Sequence, residues 1–193
     1  MKKLICIIVI AVVALLLLAS CQRYPMPPPQ MFYSLEDMTS NATDVVRAEV
    51  LELNARYEEV YRLTTVHGER IYTRLRVHRI EILEVFHGNA QPGDVMEVGD
   101  LDWSPFQSPF ERFRGLGRND DDLILFLSPR VDNYLFLVTS YQASYRVPST
   151  FRDESILDMP ADTVLPGVFA KNDDWLTLTA GFLQQLTLEN YSE

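Results

Sequence analysis

The sequence predicts a mainly β domain, a five- to six-stranded curved barrel with a short N-terminal helix and a C-terminal helix. Three observations carry that reading. Two long runs alternate apolar and polar residues and then change phase midway. Three shorter apolar runs follow, separated by clusters of turn residues. A capped helix start opens the domain, and a run with apolar residues three and four apart closes it.

Taken in order, Ser34-Leu35-Glu36-Asp37 opens the first helix: Ser34 suits the cap, and acidic side chains suit the positive end of the helix dipole. From Asp44 the period becomes two. Val46, Ala48 and Val50 share a face, and then the apolar positions slip to Leu51 and Leu53. The second run, Arg70 to Phe86, behaves alike: Ile71, Thr73, Leu75 and Val77 alternate before Ile80 and Ile82 take over. A phase slip within a strand marks a bulge, and two long bulged strands are what a small, strongly curved barrel needs. The stretch from His87 to Asp94 is dense in turn residues. Val95 to Val98 forms a third strand, and residues 99–121 are irregular. Leu123 to Leu127, apolar at every position, reads as a strand covered on both faces, and Tyr134 to Val138 as a fifth. Tyr141 to Val147 extends or follows it. Residues 148–171 show no period. Asn172 to Tyr191 reads as the closing helix, with Trp175, Leu178, Phe182, Leu183 and Leu186 on one side and Asp173 and Asp174 at its positive end. Gly181 and the alternation Leu176-Thr177-Leu178-Thr179 count against that reading. Five curved strands with a loop-rich segment between the third and fourth suggest an OB-type barrel.

Ahead of this domain, Lys2 and Lys3 precede an unbroken apolar run from Leu4 to Ala19, and Leu18-Ala19-Ser20-Cys21 ends it. A charged start, an apolar middle and small residues before a cut are the layout of a secretory signal. The cysteine directly after Leu-Ala-Ser resembles a bacterial lipoprotein signal, with Cys21 as the site of lipidation and residues 1–20 removed. A retained membrane helix is the competing reading, but the run falls short of the roughly 20 residues a bilayer core requires. Gln22 to Gln30 holds four prolines, which favours an extended polyproline stalk. The expected organisation is therefore a signal over 1–20, a lipidated cysteine and stalk over 21–33, and a single domain over 34–193. Two lysines orient the start toward the cytoplasm, so the domain is expected on the extracytoplasmic face of the cell membrane. Gln22 is not the aspartate that commonly retains lipoproteins in an inner membrane, so the outer membrane is expected where the organism has one. Two or three acyl chains, at roughly 0.8 kcal/mol per buried methylene, make such an anchor permanent.

Composition narrows the function classes. Of 17 Lys and Arg, two lie in the signal, which holds none of the 27 acids; residues 21–193 thus carry a formal charge of about −12. That excludes nucleic acid, whose binding rests on neutralising phosphates. Cys6 leaves with the signal, so a disulfide framework is excluded as well.

The blocks Ala42 to Val50, Ile71 through Ile82 to Gly88, Pro92 to Val98 and Asp121 to Leu127 resemble a group of secreted or lipid-anchored bacterial domains. The resemblance spans roughly residues 34–147 and consists of strand and turn patterns. It implies an OB-like barrel akin to the tissue inhibitors of metalloproteinases, and no assigned activity. Those inhibitors coordinate a protease zinc through a free N-terminal cysteine. The acylated Cys21 departs from that pattern, so the inhibitory mechanism does not carry over.

Catalytic and metal constellations are thin, and neither a catalytic residue nor a cofactor is expected. His67, His78 and His87 cluster near the second strand, but their spacing matches no zinc motif. Asn119-Asp120-Asp121-Asp122 reads as a calcium loop or, more plainly, as an exposed acidic turn. Two surfaces are candidates for binding. Tyr72, Arg74, Arg76 and His78 lie on the expected outward face of the second strand, a basic and aromatic strip for an acidic partner. The alternative is cross-strand pairing with acids such as Glu49 or Glu97. Trp103, Phe106 and Phe110, from two Ser-Pro-Phe repeats with Phe113 behind them, are either exposed anchors for a partner or a plug for one end of the barrel. The expected role is a non-catalytic binding module for a protein or envelope component, anchored in the membrane by its lipid. An envelope-directed hydrolase or metal-dependent enzyme is the alternative.

Overall fold

The computed structural model describes residues 32–64, 70–102, 116–131, 134–138, 142–168 and 176–190; for 57–64, 70–74, 100–102 and 129–131 it describes the backbone alone. Cys21, the stalk, His67, Trp103, Phe106, Phe110 and Phe113 lie outside the described residues.

Ser34 caps helix α1 (Leu35–Ser40), its Oγ accepting from the Asp37 N–H at 3.0 Å. Strands β1 (Asp44–Thr64) and β2 (Arg70–His87) form a long antiparallel hairpin. β3 (Val95–Asp102), β4 (Asp122–Val131) and β5 (Tyr134–Leu137) complete the barrel. The strand order is β1-β2-β3-β5-β4, with β1 pairing back onto β4 to close it. All these pairings are antiparallel except β3 with β5, which run parallel. A sixth strand, β6 (Ser144–Arg146), adds to β4 beside its pairing with β1. The predicted OB-like barrel with two helices is the observed architecture.

Bulges do the bending: one in β1 falls at its predicted phase slip, whereas the slip between Val77 and Ile80 in β2 is not a bulge, since the register with β3 is unbroken there and only the covered face changes. Along the β1–β2 ladder Glu52 pairs with Arg79 but Arg56 with Val77, so β1 carries two additional residues there. Asn54 within that bulge has φ 56°, a left-handed conformation that asparagine tolerates. Near the other end Val45 pairs with His87 and Val46 with Val85, so there β2 carries the additional residue. The β2–β3 ladder, by contrast, keeps one register from Arg74–Asp102 to Glu81–Val95.

Cross-strand partners share a face. Val46, Ala48, Val50, Ile80, Ile82, Leu123 and Leu125 meet in the barrel interior, all fully buried. The opposite face of β4, with Ile124 and Phe126, is equally buried, and Tyr145 on β6 lies edge-on to Phe126. This second layer packs beneath the segment from Val147 to Leu165 and the C-terminal helix, through Ile156, Leu165, Leu178 and Leu183. β4 is thus covered on both faces, as its uninterrupted apolar run predicts.

The closing helix departs from the sequence reading. Helix α2 spans Ala180–Asn190 and has no acid in its first turn; Asp173 and Asp174, expected at its positive end, lie outside the described residues. Ahead of it Leu178–Thr179 forms a short strand, β8, paired with β7 (Val164–Leu165). The Leu-Thr alternation there has strand period because it is a strand. Residues 148–171, without period, hold two 3-10 turns, Ser149–Phe151 and Ile156–Asp158, as well as β7.

Candidate functional site

Arg47 is the strongest polar centre among the described residues. It stands between Val46 and Ala48 on β1, on the face opposite the interior, and only 3% of it is exposed. Its Nε and Nη2 grip Asp122 at 2.9 and 2.6 Å, and its Nη1 donates to Glu84 at 2.6 Å. The remaining N–H groups reach the carbonyl oxygens of Glu154 and Arg152, each at 2.6 Å. Glu84 in turn accepts from the Ser155 hydroxyl at 2.8 Å and the Ile156 N–H at 3.1 Å. Burial disfavours the guanidinium charge, but the hydrogen bonds to Asp122 and Glu84 outweigh it and raise the Arg47 pKa. The cluster pins segment 151–156 to the barrel wall, with its bonding capacity engaged by the fold.

Asp44 does comparable work at the β2–β3 turn. One carboxylate oxygen accepts from the N–H groups of Asn89 and Ala90 at 3.1 and 3.2 Å. Gly88, at φ +101°, makes that approach possible: a Cβ there would lie 2.3 Å from the Thr43 carbonyl oxygen.

The predicted strip on β2 divides. His78 is buried, 6% exposed, and lies opposite Val98 on the interior side of the sheet. Its Nδ1 accepts the N–H of Asn54 at 3.1 Å, holding the β1 bulge closed. Burial, and secondarily the charge of Arg76, lower its pKa to about 4, so the ring is neutral at pH 7. Expected on the outside, His78 is a packing residue, because it shares the unbroken strand face of Ile80, which is turned to the buried interior. Leu75 and Val77 bury themselves on the other side with Phe136, in a cluster separate from the main core. Gly99 opposite Val77 lets that cluster form, since a Cβ there would meet Phe136 at 2.7 Å. Arg76 is half-buried, with Asp100 as its register partner on β3; Arg74 pairs in register with Asp102, and Tyr72 with Tyr61 on β1. The acids proposed as partners of the strip are engaged elsewhere. Glu49 pairs with Arg152, and Glu97 takes both Nη groups of Arg56, which also bonds the Tyr134 hydroxyl at 2.7 Å.

The acidic run 119–122 is likewise absorbed. Asp122 holds Arg47, Asp121 accepts from the Arg118 N–H at 2.8 Å, and Asn119 accepts from the Leu53 N–H at 2.9 Å. Among the described residues no group of three or more His, Cys, Asp or Glu is placed to hold a metal ion, and no helix is long and apolar enough to cross a membrane.

A concavity of about 360 Å³ lies elsewhere, between α1 and α2 with His87 at its side. Phe182, Gln185, Leu186 and Glu189 line it from α2 at spacings that share one helix face, while Leu183 and Thr187 face the core. Periodicity alone did not separate this groove from the core, since Phe182, Leu183 and Leu186 were expected on one side.

No protein-family model matches this chain, and no curated protein matches it either.

Proposed function

We propose that this chain is a lipid-anchored extracytoplasmic lipoprotein that serves as a non-catalytic binding module for a protein or envelope component. The observation that carries the non-catalytic reading is the engagement of the buried charged and imidazole side chains. Asp44, Arg47, His78 and Asp122 each hold a loop, a bulge or a neighbouring segment in place. Active sites keep strongly perturbed groups converging on a cleft where substrate can reach them. Here the perturbed imidazole faces the backbone of a bulge. The anchor rests on the Leu18-Ala19-Ser20-Cys21 ending and the apolar run before it. The binding candidates that remain are Arg76, Tyr72 and Arg74 on β2, with Trp103, Phe106 and Phe110 in the aromatic loop.

Two experiments test the proposal. Labelled palmitate fed to cells should enter the full-length chain and not its Cys21→Ser variant; equal labelling of both removes the lipoprotein reading. Affinity capture from detergent-solubilised envelope, with the full-length chain as bait, should recover a partner that Trp103→Ala/Phe106→Ala/Phe110→Ala loses while remaining folded. Hydrolysis of envelope material by the purified chain would overturn the non-catalytic reading.

A further inference from the structure

Past the barrel, the hairpin of β1 and β2 has an edge without a ladder partner among the described residues. β1 pairs with β4 only from Asp44 to Glu49, and β2 with β3 only as far as Arg74, so β1 offers the longer open stretch. Which of its backbone groups face that edge follows from the bonds of Ile82. Its N–H donates to the Asp94 carbonyl at 2.9 Å and its carbonyl accepts from the Gly93 N–H at 2.7 Å, so Ile82 bonds on the β3 side. The β2–β3 register is unbroken, so by alternation Val77, Leu75 and Thr73 bond on the β1 side. Their partners there are Arg56, Glu58 and Val60. Tyr57, Glu59 and Tyr61 therefore turn their N–H and C=O groups to the open edge. Val50 obeys the same parity: opposite Ile80 in register, it bonds instead to Asp120 and Asp121 at 2.8 and 3.0 Å.

We propose that this edge of β1 pairs antiparallel with the same edge of a second copy of the chain, giving a reversible twofold dimer with a sheet in the order β2-β1-β1-β2. An open strand edge is a template for another strand, and a ribbon of two strands is marginal without one. The segment is also its own complement. Outward residues meet only outward residues, so the twofold axis falls on a residue and not between two. With Val60 on the axis, Glu59 lies opposite Tyr61 of the second copy, Glu58 opposite Arg62, and Tyr57 opposite Leu63. Symmetry makes the Glu58–Arg62 pair occur twice. Moving the axis to Glu59 sets that residue opposite itself and Arg56 opposite Arg62, both like charges. Moving it to Tyr61 opposes no unlike charges at all. Cross-strand charge thus selects one register. The ladder of β1 with β2 is regular from Arg56 to Tyr61, which spans the central rungs.

This pairing is independent of the anchor and of the binding role proposed above. Its test follows the full-length chain in neutral detergent by sedimentation equilibrium over a wide range of concentration. The native chain should pass reversibly from one copy to two. Glu58→Arg and Arg62→Glu each oppose like charges twice, so each alone should weaken the dimer about tenfold. An equal mixture of these two variants opposes Glu and Arg at both places, and it should associate within about twofold of the native chain. Glu59→Pro removes an outward N–H and leaves the bonds to β2 in place, so this variant should keep the native circular dichroism spectrum and lose the dimer. A native chain that stays monomeric at every concentration would overturn the pairing. So would a mixture that associates no more tightly than its components, or a folded Glu59→Pro chain that dimerises as the native one does.

Discussion

Arg47 illustrates what a buried charge does in this fold. Its two carboxylate partners and two carbonyl partners come from β2, β4 and the segment after Phe151, so one guanidinium joins three parts of the chain. Removing one member of such a cluster leaves the others charged and dry, which costs about 3–5 kcal/mol. Arg47→Ala and Asp122→Ala should each lower the unfolding free energy obtained from urea titration by that amount. The double variant should be distinctly less destabilised than the sum, because the two residues share one interaction; simple additivity in the cycle would show that they act separately. His78 gives the residue scale its pH dependence. Its folded pKa of about 4 lies below the 6.5 of an unfolded histidine. Between those values the unfolded chain binds the additional proton. Stability from this group is therefore complete above pH 6.5 and falls as the pH drops toward 4, by up to about 3 kcal/mol. Urea midpoints measured from pH 7 to pH 4 should fall more steeply for the native chain than for His78→Gln. Parallel curves would show that the imidazole has no part in the loss.

Among the elements, the β2–β3 turn and the β1 bulge are where local chemistry and tertiary contact meet. Gly88 and Gly93 both have positive φ, +101° and +89°, yet their surroundings differ. A Cβ at Gly93 meets nothing within 4 Å, whereas one at Gly88 collides with the Thr43 carbonyl and the Asp44 carboxylate. Gly93→Ala should therefore cost only the conformational strain, about 1–2 kcal/mol. Gly88→Ala should cost about 1–3 kcal/mol more, from overpacking against Asp44. Thermal unfolding of the two variants measures the difference, and equal shifts would show that the Asp44 contact yields freely. Turn glycines are visible in a sequence, but which of them touches its neighbours is not. The C-terminal helix shows the same division. Its existence is legible from the spacing of Phe182, Leu183 and Leu186, while its start at Ala180 is set by β8 pairing with β7, a partner fourteen residues upstream. Gln184 completes the docking by donating to the Met159 carbonyl at 2.8 Å.

For the whole molecule, closure of the barrel depends on β1 reaching β4, with Asp44 opposite Leu127 and Glu49 opposite Asp122. These pairings join the two halves of the domain, and they lie against core residues that are fully buried. Beyond Arg74 the hairpin continues, and Val60 to Thr64 and Arg70 to Thr73 have only each other as ladder partners among the described residues. A two-stranded ribbon is marginally stable alone. Hydrogen exchange should accordingly show Val45–Val50 and Leu123–Leu127 opening only with global unfolding, and Val60–Thr64 exchanging faster by orders of magnitude. Uniform protection along β1 would mean that the ribbon is held by other parts of the chain.

Much of this architecture is legible in the sequence by itself. Period-two alternation determined long strands, because only one parity of a half-covered strand can be apolar, and the slip after Val50 marked the β1 bulge. The unbroken run Leu123–Leu127 determined a strand covered on both sides. Tertiary structure alone decided which face is inside at each level. Alternation shows that Arg76 and His78 share a side and that Leu75 and Val77 share the other, but not that both sides are covered where β2 crosses from the barrel core to the Phe136 cluster. Arg47 was hidden for the same reason. An arginine on the outer face of a strand reads as solvated until a distant segment without period, 151–156, folds over it and provides the carbonyl groups that make its burial tolerable.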